Sequence, residues 1–120
     1  MARILVIDDD QSIQMMLTAV LEEDGHAVTT VGDGDTGLKA ALANVPDLIV
    51  TDMSLPLKTG WDVIAQLKAD ALTRAVPIIA LSAYDSQANR DAGYEAGCDV
   101  YVGKPIDLAV LMKNVRALLA

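Results

Sequence analysis

Five short apolar runs recur along the chain, and the stretches between them carry apolar residues every three or four positions. Strands are predicted near residues 3–7, 26–31, 47–51, 77–81 and 99–102, each followed by a helix. Strands that alternate with helical segments build βαβ units and hence a parallel sheet with helices on both faces. The first, third and fourth runs are almost wholly apolar, as strands covered on both faces must be. The second, His26-Ala27-Val28-Thr29-Thr30-Val31, carries polar residues and suits an edge.

The helical stripes are core-facing in the first instance: Ile13, Met16, Leu17, Val20 and Leu21, then Leu38, Ala41, Leu42 and Val45, then Ile64 and Leu67, and finally Leu108, Leu111, Met112, Val115 and Leu118. The fourth helical segment, Asp85 to Gly97, differs. It offers almost no large apolar residue and contains Asn89 and Gly93, both poor helix formers, so it is expected to be the least stable helix.

A chain of 120 residues is expected to be one domain, residues 1–120, with a single core and no output domain. No apolar run approaches the ~18 residues that cross a bilayer, and no secretory signal precedes the first strand, so a cytoplasmic, non-inserted protein is expected. Cys98 has no partner thiol and is read as a small buried residue; His26 has no metal-binding or catalytic neighbours in sequence and is likewise read as structural. A net charge of −8 argues against direct nucleic-acid binding and for protein partners.

Chemistry gathers where the runs end. Asp8 and Asp9 follow the first strand, Asp52 the third, Ser82 the fourth and Lys104 the fifth. In an open parallel sheet, such positions converge on a crevice beyond the carboxyl ends of the strands. Crowded carboxylates raise one another's pKa and destabilise a fold unless a cation joins them. An all-oxygen set without His or Cys selects Mg²⁺, with Mn²⁺ as alternative, over Zn²⁺. Lys104 adds a point charge for a phosphate oxygen and Ser82 a donor, so the pocket is suited to holding a phosphoryl group. Asp10 is assigned mainly to capping the first helix.

These residues, together with Asp52-Met53-Ser54-Leu55-Pro56, Gly60, Ser82-Ala83 and Tyr101-Val102-Gly103-Lys104-Pro105, resemble the response-regulator receiver domains of the CheY-like kind along essentially the whole chain. The resemblance implies a doubly wound, flavodoxin-like (βα)5 fold with strand order 2-1-3-4-5. It implies that Asp52 takes a phosphoryl group from a phosphohistidine on a histidine kinase or histidine phosphotransfer protein. Asp9, Asp52 and the backbone carbonyl of Ser54 would ligate Mg²⁺, with Asp8 acting through water. Lys104, the Ser82 hydroxyl and the N–H groups of Met53 and Ala83 would contact the phosphate, and Tyr101 would be the switch aromatic. The family also implies a cis Lys104–Pro105 bond, a signalling receiver that catalyses its own phosphorylation and slow dephosphorylation, and a switched surface made by the fourth helix, fifth strand and fifth helix. The start at Met1 without an effector suggests a stand-alone receiver, and a domain excised from a hybrid kinase would read the same. Arg90, Tyr94 and Lys113 are expected to meet a downstream protein there, while Gln11, Gln14, Met15 and Ala19 lie toward solvent or at the core rim, where a phosphodonor helix docks. Tyr84 is either a shield over the acyl phosphate or an exposed loop aromatic. A haloacid-dehalogenase-like phosphatase would want an acid where Ser54 stands, and a flavodoxin-like carrier would not place three carboxylates against a flavin phosphate.

Overall fold

The computed structural model describes residues 1–84 and 86–120. Five strands, β1 (Arg3–Ile7), β2 (Ala27–Val31), β3 (Leu48–Asp52), β4 (Ile78–Ser82) and β5 (Val100–Gly103), alternate with five helices, α1 (Gln11–Glu23), α2 (Gly34–Ala43), α3 (Gly60–Ala69), α4 (Gln87–Ala96) and α5 (Leu108–Leu119). All strand pairs are parallel and the order is β2-β1-β3-β4-β5, as the resemblance implies. The last four strands sit one residue later than predicted at one or both ends, so that Asp52 and Ser82 are the final residues of β3 and β4 rather than the first residues beyond them. Asp85, from which the fourth helical segment was predicted to run, lies outside the described residues.

The two-residue period of the strands sorts the core into two layers. Ile4, Val6, Leu48, Val50, Ile79 and Leu81 face α1 and α5, where Leu17, Leu21, Leu111 and Val115 meet them. Leu5, Ile7, Ile49, Ile78 and Ala80 face the other way, onto Leu38 and Ala41 of α2 and Val63, Ile64 and Leu67 of α3. Leu42 departs from its predicted stripe: it is exposed, because Gly34, Gly37, Leu38 and Ala41 form the buried side of α2 and leave position 42 beyond its edge. β2 is the polar edge, with Ala27, Thr29 and Thr30 open to solvent.

Parallel topology starts every helix at the rim where the strands end. Each start carries a side-chain cap: Asp10, Asp33, Thr59, Ser86 and Asp107 accept from backbone N–H groups of the first turn. A cap of this kind is worth about 1 kcal/mol and fixes where the loop ends. Asp10 therefore has the role the sequence suggested. Among the described residues of α4 only Gly93 is buried, so that helix lacks the apolar anchors of the others.

Candidate functional site

Asp8 is set by the turn from β1 to α1. Its N–H donates to the Val31 carbonyl at 3.0 Å, and its Oδ1 accepts from the Asp10 N–H at 2.9 Å. Asp52 ends the central strand β3, and its Oδ1 accepts from the Ser54 N–H at 3.3 Å. Asp9 completes the group: Asp8, Asp9 and Asp52 each offer a carboxylate oxygen, all within 4.8 Å of one another, with Asp8 and Asp52 buried and Asp9 exposed. From the far side, Lys104 reaches in after β5 and places Nζ 3.1 Å from Asp8 Oδ2 and 3.3 Å from Asp52 Oδ2. The peptide bond between Lys104 and Pro105 is cis, as the resemblance implied.

One ammonium among three carboxylates leaves negative charge uncompensated. Burial is the main cause that pushes the Asp8 carboxyl above its ordinary pKa; the neighbouring Asp52 adds to it, while the Asp10 N–H and Lys104 oppose it. Burial by itself would lower Lys104, but Asp52 and Asp8 outweigh it and hold the ammonium above its ordinary value. The donor set is hard oxygen throughout and short of positive charge, which fits a divalent cation of the Mg²⁺ class.

The loop beyond Asp52 is tightly constrained. The Gly60 N–H donates to the Met53 carbonyl at 2.9 Å, and a β-carbon on Gly60 would fall 2.5 Å from the Asp52 carbonyl oxygen and 2.6 Å from Met53 Cα. Within the loop, the Lys58 N–H closes a γ-turn onto the Pro56 carbonyl at 2.8 Å, with Leu57 at φ 71°. The Met53 N–H differs from its expected role: it donates to the Leu81 carbonyl at 3.0 Å, because the β3–β4 ladder continues one residue past Asp52. Ser54 is the residue whose N–H faces the carboxylate.

Ser82 and Tyr101 meet at one carbonyl. The Tyr84 carbonyl accepts from Ser82 Oγ at 3.2 Å and from the Tyr101 hydroxyl at 2.9 Å. It also accepts from Asn89 Nδ2 at 3.2 Å, a contact with no sequence signal. Tyr101 is buried, its ring packed against Gly93, while the Tyr84 side chain is exposed. Arg90 and Tyr94 do more than face outward. Arg90 lies 5.4 Å from the Tyr101 ring centroid and donates to the Tyr101 carbonyl at 3.2 Å, and the Tyr94 hydroxyl accepts from the Tyr101 N–H at 3.2 Å. An aromatic and a cation four residues apart on a helix poor in apolar residues were the available sign of this polar attachment. Cys98 is buried, its thiol pushed up to about 11 chiefly by burial, and His26 Nδ1 accepts from the Ala2 N–H at 3.2 Å; both have the structural surroundings expected.

Known proteins with the same features agree. The family profile of the response regulator receiver domain matches residues 4–116. The chain belongs to this family. It is therefore a receiver of the two-component signalling systems, with the family's fold and its acidic pocket. It is similar to the protein PilH of Pseudomonas aeruginosa, 36% identical over 120 residues that cover 100% of this chain and 99% of PilH. It is also similar to the response regulator PleD of Caulobacter vibrioides, 38% identical over 117 residues, 98% of this chain but only 26% of PleD. Among solved structures, the receiver domain of the sensor histidine kinase PA1611 from Pseudomonas aeruginosa superimposes with a TM-score of 0.90 at 31% identity, covering 98% of this chain and 97% of that one. That structure holds a magnesium ion in its active-site cleft. Among the described residues, no helix is long and apolar enough to cross a membrane.

Proposed function

We propose that this receiver accepts a phosphoryl group on Asp52 from a phosphohistidine of a histidine kinase or histidine phosphotransfer protein, and that the modified domain signals to a downstream protein. The observation that carries the reading is the Lys104 ammonium seated between Asp8 Oδ2 and Asp52 Oδ2, beside the oxygen cluster of Asp8, Asp9 and Asp52. An Asp52 carboxylate oxygen forms the new bond to phosphorus as the bond to the histidine nitrogen breaks. The other ring nitrogen carries the proton that lets the histidine leave as neutral imidazole. Lys104 neutralises charge on the phosphoryl oxygens, and the Ser54 N–H and Ser82 hydroxyl donate to them; positioning and charge neutralisation are most of what this chemistry needs. Asp9, Asp52 and the Ser54 carbonyl would hold Mg²⁺ (Mn²⁺ by the same donor chemistry), with Asp8 acting through water. Bound there, the ion supplies further charge neutralisation.

In this reading residues 1–120 act as a cytoplasmic receiver domain whose catalysis is confined to its own phosphorylation and slow dephosphorylation. Met15, exposed on α1, is where the donor protein docks. Tyr101 and Ser82 pass the state of Asp52 to α4, β5 and α5 through the Tyr84 carbonyl, and neither nucleic acid nor membrane is contacted. To test it, the protein is incubated with acetyl phosphate and Mg²⁺, wild type beside Asp52→Asn. Acid-labile phosphate on the wild type alone is expected; equal labelling of both would remove Asp52 from the reaction. For the switch, amide exchange across Gln87–Ala96 should slow when beryllofluoride and Mg²⁺ imitate the phosphoryl group, and exchange that stays unchanged would send the signal through another face.

A further inference from the structure

Asp9 is the exposed member of the oxygen cluster, and among the described residues no side-chain partner holds it, so its direction is set through the backbone. The preceding peptide is planar, and whatever fixes the Asp8 carbonyl also fixes the nitrogen and α-carbon of Asp9. The Asp8 residue is held at every polar atom. Its N–H is on Val31, its Oδ1 on the Asp10 N–H and its Oδ2 on Lys104. Its carbonyl oxygen accepts from Gln14 Nε2, which reaches back from α1 and also donates to the Val31 carbonyl at 3.4 Å. Both partners are acceptors, so the side-chain amide has to present its NH₂ group, and its orientation is not arbitrary. We infer that Gln14 is a positioning residue for the cation site: by bonding the Asp8 and Val31 carbonyls together, it locks the Asp8–Asp9 peptide so that the Asp9 carboxylate points into the cluster. The inference rests on the metal-binding reading above and adds to it a residue that touches neither cation nor phosphoryl group.

Sequence position alone gives Gln14 a place on the rim of α1. Its neighbours there, Gln11 and Met15, are exposed, whereas Gln14 is half-buried and turned toward the β1–α1 turn. A residue of this kind acts on cation affinity more than on chemistry, as partners that orient metal ligands from outside commonly do. Gln14→Met keeps the length of the chain and removes both donors. Calorimetric titration of Mg²⁺ should show the dissociation constant raised about tenfold. The labelling rate with acetyl phosphate at saturating Mg²⁺ should stay within about twofold of wild type, since Gln14 does not touch the reacting atoms. A purely structural role would instead lower the melting temperature without Mg²⁺ and leave the affinity of the folded protein unchanged, which would overturn the inference.

A second measurement uses the wild type and needs no variant to fold. The Gln14 side-chain amide protons should exchange more slowly than those of the exposed Gln66, and their resonance should shift as Mg²⁺ is added. Exchange as fast as that of Gln66, with no shift, would overturn the assignment. If wild-type protein binds no Mg²⁺, the metal reading and this inference fall together. If wild type binds it and Gln14→Met binds it equally well, only the role of Gln14 falls.

Discussion

The two rims of the sheet use the same side-chain types to opposite ends. At the amino end of the strands, three carboxylates have dedicated partners: Asp47 accepts from the Arg3 N–H at 2.8 Å, Asp99 from the Ile78 N–H at 2.8 Å with Lys68 Nζ at 3.9 Å, and Asp24 takes Arg116 at 3.0 and 3.3 Å. At the carboxyl end, Asp8 and Asp52 share one ammonium, with the Asp9 carboxylate clustered beside them. The first rim ties these carboxylates to backbone N–H groups or to cations and sews loops to strands. The second is left short by design of its spacing, and a cation or phosphoryl group finishes it. The same carboxylate therefore stabilises this fold at one end and strains it at the other, and only the partners distinguish the two cases.

Breaking the matched rim should have the largest effect. Asp99→Ala strips the Ile78 N–H of its acceptor and Lys68 of its counter-charge, and is expected to lower the unfolding free energy by about 1.5 kcal/mol in urea melts. Neutralising the crowded rim should act in the other direction: Asp8→Asn keeps an acceptor for the Asp10 N–H, removes a buried charge, and is expected to raise metal-free stability by about 1 kcal/mol. If both variants lose stability, the contrast between the rims is wrong.

Acid titration sharpens the comparison because the signs differ. Asp8 has a folded pKa raised above 3.8 by burial, so the native state binds its proton more readily than the unfolded chain does. Stability from this group therefore falls as pH climbs from 3.8 through the raised value, and metal-free Asp8→Asn should lack that slope. Asp24 is lowered, first by its bond to Arg116, so its contribution is present above 3.8 and disappears as pH falls through the lowered value. Asp24→Asn should alter only the acid limb, and by the smallest amount of the set, since the pair is open to solvent and weakened by salt. Thermal melts of the three proteins between acidic and neutral pH, without metal, would show these limbs; matching slopes for wild type and Asp8→Asn would contradict the assignment.

Much of this was legible in the sequence because two periods carry most of the information. Apolar runs such as Ile78–Leu81 can only be strands covered on both faces, and they deliver Asp52, Ser82 and Lys104 to one rim wherever the helices lie. Leu42 was misjudged because a stripe read by spacing alone does not say where glycines let a helix approach the sheet, and Gly37 against Ile7 sets that approach here. The Met53 N–H was misassigned because a ladder can run one residue beyond a strand's last charged position. Gln14 and Asn89 left no pattern, since each acts by donating to a backbone carbonyl, and any residue supplies a carbonyl.

Gly60 has no side chain, yet the approach of its α-carbon to the Asp52 carbonyl makes it inseparable from the acceptor. In a saturation-mutagenesis survey read out by signalling, position 60 should therefore be as intolerant as a residue that does chemistry. Every replacement inserts a β-carbon into the backbone that carries Asp52, so the map of essential positions would trace the packing of this loop as well as the charges it presents.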